Sequence, residues 1–348
     1  MATRGSIDMI ASAVKGVFQD LQARAAGEAG GSDVGYFVEE QLNSSLRMFL
    51  GVSNEGKLAL ILVPKKSNVP PAPVRLASLS VDFGRQCGLI SVSGTEMLRV
   101  TVIQCTSTES AQADVFASMC SSMLQSLAGS TTERDVASNI DAWAALFWQL
   151  QQRVDTDVVG ICGELMVIAA SGDPKSWVSA WHSNPNDVID FEFQTPSLSV
   201  EVKAARSAKR LHTLSLMQSL GTGAHSQLLA SVPVTFSQSG RTVASLVREV
   251  VDRLDGAALQ LKLWDVLGAT CGNSLDDVLA RTVDVDAGIA GVRIFSMRDV
   301  PSPTIQEPLP PQVVRIQFSV DLTDIHGMSL SEFEAPYGFG PGQLGAPT

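Results

Sequence analysis

Residues 188–203 read Val-Ile-Asp-Phe-Glu-Phe-Gln-Thr-Pro-Ser-Leu-Ser-Val-Glu-Val-Lys, two short alternating runs on either side of a Thr195-Pro196-Ser197 turn. In a strand, side chains alternate between faces, so Leu198, Val200 and Val202 share one face while Ser199, Glu201 and Lys203 share the other. Ile189, Phe191 and Phe193 form the apolar set of the first run, which leaves Asp190 on the polar side. A register with Asp190 opposite Glu201 or Lys203 keeps both apolar sets on the buried face, whereas a slip of one residue drives Asp190 into the core. Two carboxylates across a strand pair offer hard oxygen ligands for Mg²⁺. An ammonium two residues on, roughly 7 Å along the strand, can orient or activate a water.

Carboxylate, any residue, lysine is a sparse pattern, and the chain carries it three times. Glu55-Gly56-Lys57 lies between the apolar runs Met48–Val52 and Leu58–Val63 and reads as a hairpin turn. Asp173-Pro174 reads as a helix start with Pro at the first position. Only Glu201-Val202-Lys203 falls inside a strand. Its plain alternative is a solvated strand face bearing two ordinary charges.

The chain has 348 residues, 45% hydrophobic and 18% charged, enough for a sizeable core in two compact units. No apolar run is long enough to span a membrane, and no apolar stretch follows a basic start as in a secretory signal, so a cytoplasmic protein without a membrane partner is expected. Cys87, Cys105, Cys120, Cys162 and Cys271 form no Cys-x-x-Cys pair and read as buried free thiols. The net charge of −11 argues against a chain that coats nucleic acid unaided. Locally, Lys203, Arg206, Lys209 and Arg210 place four cations in eight residues beside the carboxylates, where a phosphate backbone could be steered.

Along the chain, Ile7, Ile10, Val14, Val17 and Leu21 recur at helical spacing. Strands follow over 45–52, 57–63, 74–81 and 98–105, then a helix over 110–127. A polar stretch at 128–135 marks the boundary, and Ser130 with Glu133 has capping-box spacing for a helix striped by Val136, Ile140, Trp143, Phe147 and Leu150. The helix over 158–170 holds one charged residue, Glu164, which needs a cation, a metal or water. Strands are expected over 211–215, 227–236, 292–296 and 313–320, and helices over 242–254 and 257–267. The domains are therefore expected at 1–130, an α+β unit rich in strands, and 131–333, an α/β unit, with 334–348 a disordered Gly/Pro tail. No internal repeat, Walker-type loop or serine-hydrolase elbow is present.

The order of a helix with Glu164, a strand with Asp190, a strand with Glu201-Val202-Lys203 and a further strand and helix resembles the PD-(D/E)xK nuclease superfamily. Gly163-Glu164-Leu165, Ala180-Trp181, Asp190-Phe191, Glu201-Val202-Lys203, and His212 with Leu214-Ser215 and Gln218 resemble a prokaryotic PD-(D/E)xK family known mostly from sequence and associated with restriction and phage-defence gene sets. The resemblance is firm over about 155–225. It implies a restriction-endonuclease-like mixed β-sheet flanked by helices and a Mg²⁺-dependent DNA endonuclease, with Mn²⁺ able to substitute. Asp190, Glu201 and the Val202 carbonyl would hold the metal, with Glu164 beside them, and Lys203 would stabilise the water or transition state. Arg206, Lys209, Arg210, His212, Ser215 and Gln218 would contact substrate phosphate or support the site. Two departures stand out: Ile189 replaces the family's proline, and Gln218 is separated from Leu220 by Ser219. DNA is the implied partner, along with protein partners from a defence system, and a homodimer would supply two active sites for a double-strand break. The competing reading is a non-catalytic or partner-activated subunit that binds nucleic acid or acts as a scaffold. A third is a structural or small-molecule-binding protein.

Overall fold

A computed structural model describes residues 11–27, 35–41, 46–127, 129–154, 156–182, 187, 189–194, 197–207, 209–220, 226–304, 312–313 and 315–335. The first elements are α1 (Ala11–Gly27), β1 (Gly35–Gln41), β2 (Met48–Ser53), β3 (Leu58–Leu62), β4 (Val74–Arg75), β5 (Leu79–Ser91), β6 (Gly94–Cys105), α2 (Ser110–Ser126) and α3 (Glu133–Gln149). Next come α4 (Val158–Ala170), α5 (Pro174–Ala180), β7 (Phe191–Phe193), β8 (Leu198–Ala205), β9 (Leu211–Ser215), α6 (Leu216–Leu220), β10 (Ser226–Pro233) and β11 (Phe236–Thr242). The remainder are α7 (Val243–Asp252), α8 (Ala257–Cys271), α9 (Leu275–Leu279), β12 (Thr282–Val283), α10 (Val285–Ala290), β13 (Arg293–Ser296), β14 (Gln317–Asp321) and α11 (Leu330–Glu334). The chain is a mixed α/β protein. It forms two compact units: 1–153 with 255–268 and 272–276, and 154–254 with 269–271 and 277–348.

In the first unit the strands run β1-β2-β3-β6-β5-β4, and β1 also pairs in parallel with β5, so five of them close on themselves. Alternation along these strands fills the interior with Tyr36, Val38, Phe49, Ala59, Ile61, Cys87, Leu89, Val100 and Val102. The β5–β6 hairpin is longer than the apolar pattern suggests. Gly84, with φ 65°, sits at a bulge between Asp82 and Arg85, which breaks the alternation that would have revealed the strand. Outside the strands, Phe18 of α1 meets Phe116 of α2 with ring centroids 6.0 Å apart. Ile7 and Ile10 lie outside the described residues, while Val14 and Leu21 are buried on α1.

Helix α3 groups with this first unit, not with the second as a boundary at 130/131 would have it. Its start is stitched to the strands: Lys65 N donates to Thr131 O (2.9 Å), Glu133 N donates to Lys65 O (3.1 Å), and the fully buried Glu133 pairs with Arg99 at 2.6 Å. Its capping box is Thr132 with Asp135, because the helix begins two residues later than Ser130 would require. The expected apolar stripe is buried throughout.

The second unit contains the sheet β13-β10-β8-β7, with β8 parallel to β10 and the outer pairs antiparallel. Helix α4 lies along β8, its Gly163 over Ala204: a Cβ there would come within 2.8 Å of the Ala204 Cβ. The ribbon β9–β14 contributes Leu214, Val320 and Leu322 to a core with Leu229 of β10 and Phe295 of β13. Both faces of the sheet are thus covered, which explains strands rich in Val and Leu. Of the expected tail, Glu334 is helical and buried, bonded to Trp177 Nε1 (3.1 Å) and Gly172 N (3.0 Å), and 336–348 lie outside the described residues. All five cysteines are free and buried. Among the described residues no helix is long and apolar enough to cross a membrane.

Candidate active site

Asp190 immediately precedes β7, whose pairing with β8 runs Phe191↔Val200, Glu192↔Ser199 and Phe193↔Leu198; extended by one residue, that register sets Asp190 opposite Glu201. Thr195 and Pro196 of the expected turn lie outside the described residues, as does Val188. On the other side β10 places Leu229 beside Glu201 and Ser231 beside Lys203. The ribbon β9–β14 packs over the Leu229–Phe295 part of this face. Glu201, expected on a polar strand face, is therefore buried, its side chain 5% exposed, while Lys203 keeps 26%.

Glu201 Oε1 accepts from Lys203 Nζ at 2.6 Å and from Gln218 Nε2 at 2.5 Å. Its Oε2 is buried without a hydrogen-bond partner. Asp190 Oδ2 accepts from the Val202 backbone N–H at 2.6 Å. Glu164 on α4 accepts at Oε2 from Trp181 Nε1 at 2.6 Å, and Trp181 stacks on Phe191 with ring centroids 6.1 Å apart, so the indole ties α4 to the start of β7. Burial and then the Asp190 charge push the Glu201 carboxyl from an ordinary 4.5 up to about 8, against the pull of Lys203 and Gln218. The same two causes push Glu164 well above the carboxylate range. Asp190 is also raised by burial, with the Val202 N–H and Lys203 opposing.

Three neighbouring carboxyl groups raised by burial, with the Asp190 charge raising the other two and one of them holding an orphaned buried oxygen, are chemically suited to a hard divalent cation. The grouping is not preformed: among the described residues no three His, Cys, Asp or Glu side chains stand ready to hold a metal ion. Lys203 and Gln218 hold the oxygen of Glu201 that faces them.

The structure disperses the basic run. Only Lys203 lines the adjacent cleft, a space of about 160 Å³. Arg206 lies over the Phe236 ring at 5.4 Å, and Lys209 is exposed beyond the end of β8. Arg210 spends its guanidinium internally, donating to Ser231 O (3.0 Å), Ser231 Oγ (2.8 Å) and Gly291 O (2.7 Å). His212 is buried with Nε2 2.8 Å from Ser231 Oγ. Burial, then the charges of Lys203 and Arg210, push its pKa down to about 4, so it packs as a neutral ring. Ser215 and Gln218 do reach the cleft, bracing each other: Ser215 N donates to Gln218 Oε1 (2.8 Å) and Gln218 N donates to Ser215 Oγ (3.2 Å). The intervening Ser219 leaves Gln218 in place because α6 starts at Leu216 and turns Gln218 back toward β8.

Sequence reasoning missed Arg315, Gln317, Thr213 and Asp187, which complete the cleft lining. The alternation Gln317-Phe-Ser-Val-Asp marked a strand. Nothing local marked its pairing with β9.

No curated protein and no solved structure matches the chain. A family model described as "Putative PD-(D/E)XK family member, (DUF4420)" matches residues 17–323, a span that includes Glu164, Asp190, Glu201 and Lys203. That span is most of the sequence, and the chain belongs to this PD-(D/E)XK family.

Proposed function

We propose that the chain is a metal-dependent endonuclease hydrolysing phosphodiester bonds in DNA, working in a bacterial restriction or anti-phage defence system. The observation that carries the reading is the cluster of Asp190 and Lys203 around the buried Glu201 on adjoining positions of the β7–β8 register, with Glu164 beside them, in a member of a PD-(D/E)XK family. Asp190 and Glu201 would hold Mg²⁺ or Mn²⁺, with the Val202 carbonyl and Glu164 as further oxygen donors. A bound divalent ion supplies charge neutralisation at the phosphate and lowers the pKa of water. Lys203 meets the scissile phosphate: released from Glu201, its ammonium orients the attacking water and stabilises charge developing on the phosphate oxygens. Gln218 keeps Glu201 aimed while Lys203 moves, and Trp181 holds Glu164.

Titrating Mg²⁺ and Mn²⁺ on plasmid and phage DNA tests this, with wild type beside Asp190→Ala and Lys203→Ala. Cleavage by wild type that both variants lose is the expected result. Full metal-dependent cleavage by either variant overturns it.

A second reading draws on the Lys203–Glu201 pair and the net charge of −11. In it the chain rests with its site closed until a defence-system partner delivers DNA, or serves that partner as a scaffold. Stable association with another subunit and no cleavage by the isolated chain are its signature.

A further inference from the structure

The ribbon β9–β14 places Ser215 opposite Gln317 and Thr213 opposite Ser319. Leu214, His212 and Val320, of the other parity, are buried. The ribbon therefore turns a polar face outward, and this face forms one wall of the cleft whose other wall carries Lys203. Arg315, two residues before Gln317 and so of the same parity, lines the cleft as well. Its guanidinium makes no hydrogen bond or ion pair with any described residue. It differs in this from Arg210 and Arg293, whose donors are taken by backbone carbonyls, and from Arg206, which lies over Phe236.

Around Arg315 the lining supplies the donors Lys203, Thr213, Ser215 and Gln317, with Asp187 the single anion among the described residues. Asp187 already accepts from His182 Nδ1 or ion-pairs with it at 2.7 Å. A free guanidinium is a planar fork matched to phosphate oxygens. The cleft's volume of about 160 Å³ is below the roughly 300–1,000 Å³ that buries a drug-sized ligand, so a whole nucleotide does not fit inside. Among the described residues no aromatic ring lines it to stack a base. What fits is a single phosphate group, with the rest of any polymer that carries it lying outside the cleft.

We propose that Arg315 is a substrate-positioning residue that clamps a backbone phosphate of duplex DNA in this cleft, beside the phosphate that Lys203 meets, without reading base sequence. This rests on the nuclease reading only for the identity of the neighbouring phosphate; the clamp itself is a binding property. A contact made equally in ground and transition states raises KM and leaves kcat largely intact, whereas loss of Lys203 lowers kcat.

The test is fluorescence anisotropy of full-length protein on two labelled duplexes of unrelated sequence, across a salt series, with cleavage followed in parallel. Wild type is compared with Arg315→Ala, Arg315→Lys and, as a cation on the exposed side of α7, Arg248→Ala. Arg315→Ala should weaken binding roughly tenfold on both duplexes and reduce the salt slope by about one phosphate contact. Arg315→Lys should restore the slope but only part of the affinity, and Arg248→Ala should match wild type. Arg315 is exposed and bonds no described residue, so thermal melting of the variants should coincide with wild type. Equal affinity and salt slope for wild type and Arg315→Ala overturn the proposal, as does wild type that binds neither duplex. Wild type that binds through Arg315 yet never cleaves leaves the clamp standing and removes the nuclease reading. Wild type that cleaves with KM unmoved in Arg315→Ala does the reverse.

Discussion

Replacing Gly163 with Ala should destabilise the second unit, although alanine is the better helix former. A methyl at 163 would stand 2.8 Å from the Ala204 Cβ, against roughly 3.5–4.0 Å for carbon atoms at their optimum. Neither atom belongs to a flexible side chain, so α4 must lift from β8 or the strand must bend. Overpacking of this kind costs roughly 1–3 kcal/mol, and the gain of about 1 kcal/mol in helix propensity offsets part of it. The net loss is on the order of 1 kcal/mol and at most about 2, which for a unit of this size lowers Tm by roughly 2–4 °C and at most about 8 °C. Since Glu164 is the next residue, the same displacement moves its carboxyl from Trp181, and metal-dependent cleavage should fall with stability. The double variant Gly163→Ala with Ala204→Gly removes the clashing methyl, and the other atoms near that Cβ, Val202 Cγ1 at 3.5 Å and the Ala204 Cα at 3.7 Å, are at ordinary contact. Its Tm should recover most of the loss, less about 0.5–1 kcal/mol for glycine in a strand. Differential scanning calorimetry of wild type, both single variants and the double gives the coupling energy directly. A Gly163→Ala protein that melts at or above wild type, or a double variant no better than the sum of the singles, refutes the claim that close helix-to-strand approach places Glu164.

Other expectations follow from single groups. In EDTA, Glu201 holds a proton in the folded state up to about pH 8 that the unfolded chain releases near 4.5, so its contribution to stability is greatest below pH 4.5 and is lost as pH rises through 8. Each tenfold in proton affinity is about 1.4 kcal/mol, so the loss is on the order of 4–5 kcal/mol, and Glu201→Gln should melt higher than wild type at pH 9 while being inactive; equal pH dependence in the two proteins would count against the burial of this carboxyl. Trp181→Phe keeps the ring against Phe191 but removes the donor to Glu164, so it should lower cleavage with a loss of about 1–3 kcal/mol in stability, read by melting and by single-turnover rates. Arg99→Ala strands the fully buried Glu133 without its cation and should destabilise the first unit by about 3 kcal/mol in urea titrations, with Arg99→Ala/Glu133→Gln recovering much of it.

Elements with a clean period were legible in the sequence. Val136, Ile140, Trp143, Phe147 and Leu150 mark α3 because one helix face is buried along its whole length, and Asp173-Pro174 marks α5 because the side chain and the missing N–H act locally. The parity of Asp190, Glu201 and Lys203 was legible for the same reason: strand alternation is set by the backbone. What parity could not give is depth. A polar strand face reads as solvated, and Glu201 is buried where the β9–β14 ribbon, whose second strand comes from residues 317–321, packs over the same face and Gln218 of α6 bonds to the carboxyl. The Thr132 cap was hidden because Ser130 and Glu133 have the same spacing as Thr132 and Asp135, and only the backbone bonds to Lys65 decide between them.

The basic run from Lys203 to Arg210 shows why charge clustered in sequence and charge clustered in space part company. Lys203 is still within β8 and points from its polar face; Arg206 lies beyond the strand's end, where Phe236 offers a ring; Arg210 begins the approach to β9 and meets the carbonyls of Ser231 and Gly291. A guanidinium half-buried among carbonyls loses water it must replace, and each bond it makes there fixes it further from any substrate. Arg315, which reaches the cleft without bonding any described residue, lies just before the other strand of the ribbon and has no charged neighbour in its own stretch of chain to draw attention to it. The same long-range pairing that buries Glu201 also carries Arg315 to the cleft beside it. A change that unpairs β14 from β9 should therefore expose the carboxylate and remove the cation together, and the two effects should track each other across any series of ribbon variants.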